Sequence, residues 1–235
     1  MKSLPTIILI HGAWADGSSW NTVTQSLQAD GYKVIAIQLP LTSLMEDVAT
    51  VRRVLSEQTN PVVLVGHSYG GAVITKMTTA DSNIAALVYI AAFAPDEGES
   101  MKDLTGGTPQ PAGSSAIHPD KGGFLWLDPD GFVKFFAADV DPTQARVMSA
   151  AQKPIAANSL LGEEKFGPPA WKSFPAWYLL SEDDQMIPPE SQRFMAQRAG
   201  AAITSIKASH VPMVSHPDAV TKIIETAAQS ILVTA

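Results

Sequence analysis

The stretch that decides the fold is VVLVGHSYGGA, residues 62–72. It predicts a short apolar strand, a tight G-x-S-x-G turn over 66–70, and the start of a helix. In such a turn the serine, here Ser68, takes strained backbone angles, so that its Oγ projects above the sheet. The flanking glycines lack the Cβ atoms that would clash there, and the helix N-terminus directs N–H groups towards a developing oxyanion. The pattern therefore predicts a nucleophilic serine; the alternative is an ordinary strand-to-helix turn that uses glycine for tightness.

Short apolar runs recur along the rest of the chain, and several are continuous and rich in β-branched residues. They predict strands at 6–10, 33–37, 61–65, 86–92, 176–180 and 202–207. Helical spacing of apolar residues falls between them, at 18–29, 44–55, 72–77, 189–199 and from 215 onwards. Continuous apolar strands are typical of a sheet that helices cover on both faces. The alternation predicts an α/β fold with a mostly parallel six-stranded sheet and right-handed crossovers.

Residues 95–173 interrupt this alternation. They are rich in glycine, proline and aromatic residues, and a loop of that length is usually functional or disordered. Because the aromatic content disfavours disorder, we expect an inserted cap over a core made of 1–94 and 174–235; the alternative is a structureless linker. Trp126 and Phe136 of this insertion are expected to line a substrate pocket or, alternatively, to form only the core of the cap.

Composition excludes several classes of protein. The chain has 235 residues, 46% hydrophobic and 17% charged, which suits one globular α/β domain. A formal net charge of -7 without a Lys/Arg cluster gives no support for nucleic-acid binding. No apolar stretch is long enough to span a membrane or to resemble a signal peptide, so the expected location is cytoplasmic. The absence of cysteine excludes disulfides, thiolate catalysis and cysteine-based metal sites, and no pattern specifies an oligomeric state.

A serine nucleophile needs a general base, and the chain has five histidines. His210 follows the last predicted strand, and this late position fits the order serine, acid, histidine that such folds use. His216 is the alternative, but it precedes a helix and is expected to cap it or pack there. His67 lies inside the turn with its side chain directed away from the serine, and His118 is expected at the surface.

The remaining parts of an acyl-transfer site are an acid and two N–H donors. Glu182, Asp183 and Asp184 follow the fifth predicted strand, and composition alone leaves the choice among them open. One donor is expected to be the N–H of Tyr69, the residue after the nucleophile, and the other to come from the loop 11–14.

Three motifs resemble those of the α/β-hydrolase superfamily: IHGAW at 10–14, GHSYGG at 66–71 and SHVPM at 209–213. The resemblance extends over essentially the whole chain. It is closest to the small-cap branch that contains plant methylesterases, hydroxynitrile lyases and bacterial esterases. In that branch the acid lies three residues before an Ile or Val that precedes a proline, so the resemblance selects Asp184. It also implies that Ala13 supplies the second N–H of the oxyanion hole.

Two residues of this chain differ from those of the hydroxynitrile lyases, and both differences favour hydrolysis. Hydroxynitrile lyases of this branch have threonine where this chain has Gly12 and lysine where it has Val211. Epoxide hydrolases and dehalogenases of the fold use aspartate where Ser68 stands. Hydrolysis of a carboxylic ester through an acyl-enzyme is therefore expected, and this mechanism needs no metal or organic cofactor. The aromatic cap indicates a small, largely apolar ester, and Gly12 and Trp14 are expected at the pocket. A carbon–carbon lyase or amidase on the same site, and a slow-turnover binding or sensor protein, are the alternatives.

Overall fold

A six-stranded parallel sheet runs through the computed structural model, which describes residues 4–81, 83–106 and 110–234. Its strand order is β2-β1-β3-β4-β8-β9, and every neighbouring pair is parallel. The strands are β1 (Thr6–Ile10), β2 (Lys33–Ile37), β3 (Val62–His67), β4 (Ile84–Ile90), β5 (Ile117–Pro119), β6 (Phe124–Leu127), β7 (Ile155–Ala156), β8 (Ala176–Ser181) and β9 (Ala202–Ile206). The predicted α/β fold is confirmed.

Helices cover both faces of this sheet. The helices of the described residues, in chain order, are α1 (Asn21–Ala29), α2 (Leu44–Ser56), α3 (Tyr69–Thr75), α4 (Met101–Thr105), α5 (Pro129–Gly131), α6 (Pro142–Ala150), α7 (Ala157–Leu161), α8 (Pro189–Arg198), α9 (Pro212–Ser215) and α10 (Pro217–Thr234). Helices α1 and α10 pack against each other, as do α2 and α3. Every residue of β1 and β3 is buried, whereas the edge strands β2 and β9 are partly exposed. The continuous apolar sequences of β1 and β3 thus belong to strands that are covered on both faces.

Element boundaries differ from the predicted ones around the turn. Strand β3 ends at His67 rather than at 65, and β4 begins at Ile84 rather than at 86, because the two strands pair from Val62↔Ile84 to His67↔Ile90. Helix α3 begins at Tyr69 rather than at 72. The helix therefore starts directly after Ser68, which aims its first N–H groups at the serine.

Residues 95–173 contain regular structure and are no structureless linker. Strands β5, β6 and β7 form an antiparallel sheet there, and α4 to α7 lie in the same stretch of the chain. A π-helix, Phe132–Phe136, continues from α5, and 3₁₀ helices occupy Ala112–Ala116 and Ala170–Lys172. Residues 1–3, 82, 107–109 and 235 of the predicted core and cap lie outside the described residues. Among the helices of the described part, none is long and apolar enough to cross a membrane.

Candidate active site

Ser68 occupies the strained turn between β3 and α3. Its backbone angles are φ 53 and ψ -122, a region that residues other than glycine rarely adopt. The glycines make this turn possible: a Cβ on Gly66 would lie 2.6 Å from the carbonyl oxygen of Gly70, and one on Gly70 would lie 2.6 Å from that of Ile10. The turn thus holds the serine side chain at the carboxyl end of the sheet.

His210 contacts both predicted partners. Its Nε2 lies 2.8 Å from the Oγ of Ser68, and its Nδ1 lies 2.7 Å from Oδ2 of Asp184. Because a carboxylate accepts hydrogen bonds, Nδ1 carries the proton and donates it to Asp184. Nε2 then presents its lone pair to Ser68, whose hydroxyl donates. The three side chains form one continuous hydrogen-bonded chain, and all are buried.

Asp184 has hydrogen bonds on both carboxylate oxygens. Oδ1 accepts from the backbone N–H groups of Met186 at 2.7 Å and Ile187 at 3.0 Å. Oδ2 accepts from the side-chain amide of Gln192 at 2.7 Å, in addition to His210. The neighbouring Glu182 and Asp183 are exposed. Of the three carboxylates that composition left open, Asp184 is therefore the one that faces His210.

Two backbone N–H groups near the serine have no acceptor in the part of the chain that the structure describes. The N–H of Ala13 bonds to no acceptor among the described residues, whereas that of Trp14 donates to the carbonyl of Lys153 at 3.1 Å. Tyr69 is the first residue of α3, so its N–H has no partner within the helix. A Cβ on Gly12 would lie 2.6 Å from the Cβ of Ser68, which shows how closely this loop approaches the serine.

His11 orients the loop that carries Ala13. Its Nε2 accepts from the N–H of Leu39 at 3.0 Å, so its Nδ1 carries the proton and donates to the carbonyl of Gly12 at 2.8 Å. Burial lowers the pKa of His11 to about 4, which keeps the ring neutral. Because the C=O and N–H of a trans peptide point in opposite directions, this bond directs the N–H of Ala13 away from His11. Sequence reasoning did not identify this role.

The remaining histidines lie outside the hydrogen-bonded chain. His67 is buried and donates through Nε2 to the backbone carbonyl of His210 at 2.7 Å, which adds a hydrogen bond to the packing that we predicted. The backbone carbonyl of His216 accepts from the first turn of α10, so this residue caps that helix. His118 is exposed and lies 3.6 Å from Asp128.

A buried carboxylate also anchors Tyr69. Asp47 of α2 accepts from the Tyr69 hydroxyl at 2.7 Å and from the N–H of Leu41 at 2.8 Å. Burial raises the pKa of Asp47 to about 6 and also raises that of Tyr69. The sequence carried a signal for this site, because Asp47 falls on the apolar stripe of α2, three residues after Leu44 and four before Val51.

A cavity of about 480 Å³ opens above Ser68 and His210. Ala13 and Trp14 form part of its wall. No lysine or arginine belongs to the described lining, although three carboxylates do: Glu99, Asp103 and Glu190. Most of the wall is apolar and includes Phe93, Leu104, Ile117, Leu160, Ile187 and Met195.

Three residues predicted to line the pocket lie elsewhere. Trp126 is 39% exposed and donates from its Nε1 to Asp120, because it faces away from the buried side of β6. Phe136 is fully buried, and its ring centroid lies 5.1 Å from that of His210, so it packs against that imidazole and does not line the cavity. Gly12 lies against Ser68, outside the cavity lining.

The chain belongs to the alpha/beta hydrolase family, whose model matches residues 7–223. This membership agrees with the resemblance read from the three sequence motifs.

Individual relatives cover almost the whole chain. Alpha/beta hydrolase nvfD from Aspergillus novofumigatus is 27% identical over 95% of this chain and 96% of its own length. Methylesterase 7 from Arabidopsis thaliana is also 27% identical, over 89% of each chain. Among solved structures, a pyrethroid hydrolase from Sphingobium faniae JZ-2 superposes with a TM-score of 0.82 at 25% identity, over 97% of this chain and 98% of that one. The family and these relatives support a hydrolase, and ester hydrolysis in general.

Proposed function

We propose that the protein is a carboxylic ester hydrolase in which Ser68 is the nucleophile, His210 the general base and Asp184 the acid that orients it. One observation carries this proposal: the continuous chain of hydrogen bonds, 2.8 and 2.7 Å long, from Ser68 through His210 to Asp184. A serine at a strained turn, with a neutral imidazole nitrogen facing its hydroxyl, is activated for attack on a carbonyl carbon.

The reaction proceeds in two halves. In the first, the Oγ of Ser68 bonds to the ester carbon while its proton passes to Nε2 of His210. The carbonyl electron pair moves onto oxygen, and the N–H groups of Ala13 and Tyr69 stabilise that oxyanion. The tetrahedral intermediate collapses, the C–O bond to the alcohol breaks, and the leaving alcohol takes the proton from His210.

In the second half, water attacks the acyl-enzyme and gives its proton to His210. Collapse of the second intermediate releases the carboxylic acid and returns the proton to Ser68. Asp184 stabilises the imidazolium of His210 in both halves. This mechanism needs no metal or organic cofactor.

The proposed substrate is a small, largely apolar ester without negative charge. The wall of the cavity is mostly apolar, and its described lining has no lysine or arginine that could bind an anionic ester. Two of its three carboxylates, Glu99 and Asp103, are already paired with Arg198 and Lys165. The relatives named as methylesterases and as a pyrethroid hydrolase fit this substrate class. We further propose that residues 95–173 act as the cap over a core of 1–94 and 174–235, since they contribute Leu104, Ile117 and Leu160 to the cavity.

Hydrolysis of p-nitrophenyl acetate and of methyl esters by the wild type and by Ser68→Ala tests the proposal. We expect the rate of Ser68→Ala to fall by about 10⁴-fold or more, because the nucleophile is lost. Ser56→Ala, the same change at an exposed serine of α2, is the control and should keep the wild-type rate. Equal rates for Ser68→Ala and the wild type would refute the nucleophile.

A further inference from the structure

Gln192 lies on α8, in the same connection between β8 and β9 that carries Asp184. It is fully buried, although glutamine is mostly found at protein surfaces. The proposed reaction does not use it, and the sequence contains no motif that singles it out. A buried amide must find partners for its two N–H groups and its oxygen, and those partners reveal what it does.

All three polar positions of this amide are occupied. The amide oxygen, Oε1, accepts a hydrogen bond of 3.1 Å from the N–H of Ser181, the last residue of β8. The Nε2 group donates to Oδ2 of Asp184 at 2.7 Å and to the carbonyl of Ile187 at 2.8 Å. The side chain therefore connects the end of β8, the loop that carries Asp184, and helix α8.

Oδ2 of Asp184 is the same oxygen that accepts from Nδ1 of His210. Its second donor, Gln192, fixes where the remaining lone pair points and limits how strongly the oxygen attracts the proton of His210. The other oxygen is held by backbone N–H groups alone. Gln192 is thus the one side chain besides His210 that directly bonds the carboxylate among the described residues.

We propose that Gln192 is a positioning residue of this hydrolase: its amide holds Asp184 in the orientation that keeps Nε2 of His210 directed at Ser68. This inference rests on the proposed function. Helix α8 also lines the cavity through Ser191 and Met195, so the same amide joins the substrate wall to the acid. A structural alternative exists, in which Gln192 only docks α8 against β8.

The nearly isosteric Gln192→Met, which has no N–H donors, separates the two roles. For the positioning role, we expect kcat to fall by about 10- to 100-fold with KM within about twofold. We also expect the acid limb of the kcat/KM profile to move to higher pH, because Oδ2 regains a free lone pair next to the imidazolium. If Gln192 only docks α8, KM rises and the acid limb stays in place.

Other titratable groups near His210 and Asp184 do not account for a shift in the acid limb of the kcat/KM profile. Burial lowers the pKa of His67 and raises that of Tyr178, so both stay neutral through the neutral pH range. Asp139 accepts a hydrogen bond from the N–H of Ser209, the residue before His210, at 3.0 Å, and Nδ1 of His216 lies 3.5 Å from Oδ2 of Asp139. None of these contacts changes in Gln192→Met.

Gln192→Glu and a double variant complete the test. A protonated Glu can donate one hydrogen bond to Asp184 and an ionised one cannot, so the activity of Gln192→Glu relative to the wild type should recover as the pH falls. In the Asp184→Asn background, Gln192→Met should cost little more, because it acts through Asp184. Gln197→Met, at an exposed position of α8, is the matched control.

The outcomes are distinguishable. Additive losses in the double variant, together with an unmoved acid limb in Gln192→Met and no recovery of Gln192→Glu at low pH, would overturn the positioning role. If Ser68→Ala is inactive while both Gln192 variants keep the wild-type kcat and pH profile, this inference fails and the proposed function stands. If Ser68→Ala is as active as the wild type, the proposed function itself fails.

Discussion

At the scale of the residue, the structure distinguishes Asp184 from its two neighbouring carboxylates as the acid that faces His210. Its side chain is buried and accepts from His210, whereas Asp183 is exposed. Burial gives this one carboxylate a defined orientation, which solvent-exposed neighbours lack. The proposed role of Asp184 as the acid therefore depends on local backbone geometry that the residue types alone do not encode.

Asp184→Asn should lower kcat by about 10⁴-fold, because an amide that donates to Nδ1 favours the wrong tautomer of His210. Hydrolysis of p-nitrophenyl acetate measures this, with Asp183→Asn as the matched control. A large loss of kcat in Asp183→Asn, together with a wild-type kcat in Asp184→Asn, would overturn the assignment.

At the scale of the element, the loop after β1 depends on the side chain of His11. The imidazole holds the Gly12 carbonyl and so sets the direction of the Ala13 N–H. His11→Leu removes this bond and leaves the N–H of Leu39 without its acceptor. We expect kcat to fall by up to about 10²-fold with little change in KM, because the oxyanion forms only in the transition state.

Inhibition by a boronic acid, which mimics the tetrahedral intermediate, checks this second role. The affinity of His11→Leu for the boronic acid should weaken in parallel with kcat/KM, while its affinity for the carboxylic acid product stays the same. An unchanged boronic acid affinity would show that the loop does not depend on His11.

Most elements of the sheet were predictable from the sequence, because apolar runs and G-x-S-x-G are local patterns. The cavity was not: Trp126 and Phe136 look alike as aromatic residues of the insertion, and only the pairing of β6 turns Trp126 outward. Gln192 and His11 escaped prediction for the same reason. Their roles arise from partners brought together by folding, and a polar residue by itself does not reveal them.

At the scale of the whole molecule, two buried groups give opposite pH dependence to stability. Between about pH 3.8 and 6, folded Asp47 keeps a proton that the unfolded chain releases, so its contribution to stability falls as the pH rises. Between about pH 4 and 6.5, unfolded His11 binds a proton that the folded chain refuses, so its contribution rises with pH. Each shift corresponds to about 3 kcal/mol, and the two largely offset each other.

Asp47→Asn should remove the contribution of Asp47 to the pH dependence of stability and leave that of His11. Its amide can still accept from Leu41 and donate to the Tyr69 hydroxyl, so we expect the fold to persist. The free energy of unfolding should then rise more steeply with pH between 4 and 6.5 than in the wild type, and should exceed the wild-type value at pH 7 by about 2–3 kcal/mol. Urea unfolding at several pH values measures this, and parallel curves for the two proteins would contradict it.

The proposed mechanism depends on Ser68 as the nucleophile, and labelling with a fluorophosphonate tests that role most directly. We expect the folded wild type to gain one adduct, mapped by mass spectrometry to the peptide that contains Ser68, and Ser68→Ala to gain none. The denatured wild type, in which His210 and Asp184 no longer face the serine, should also stay unlabelled. An adduct on a different serine, or undiminished labelling of Ser68→Ala, would contradict the account.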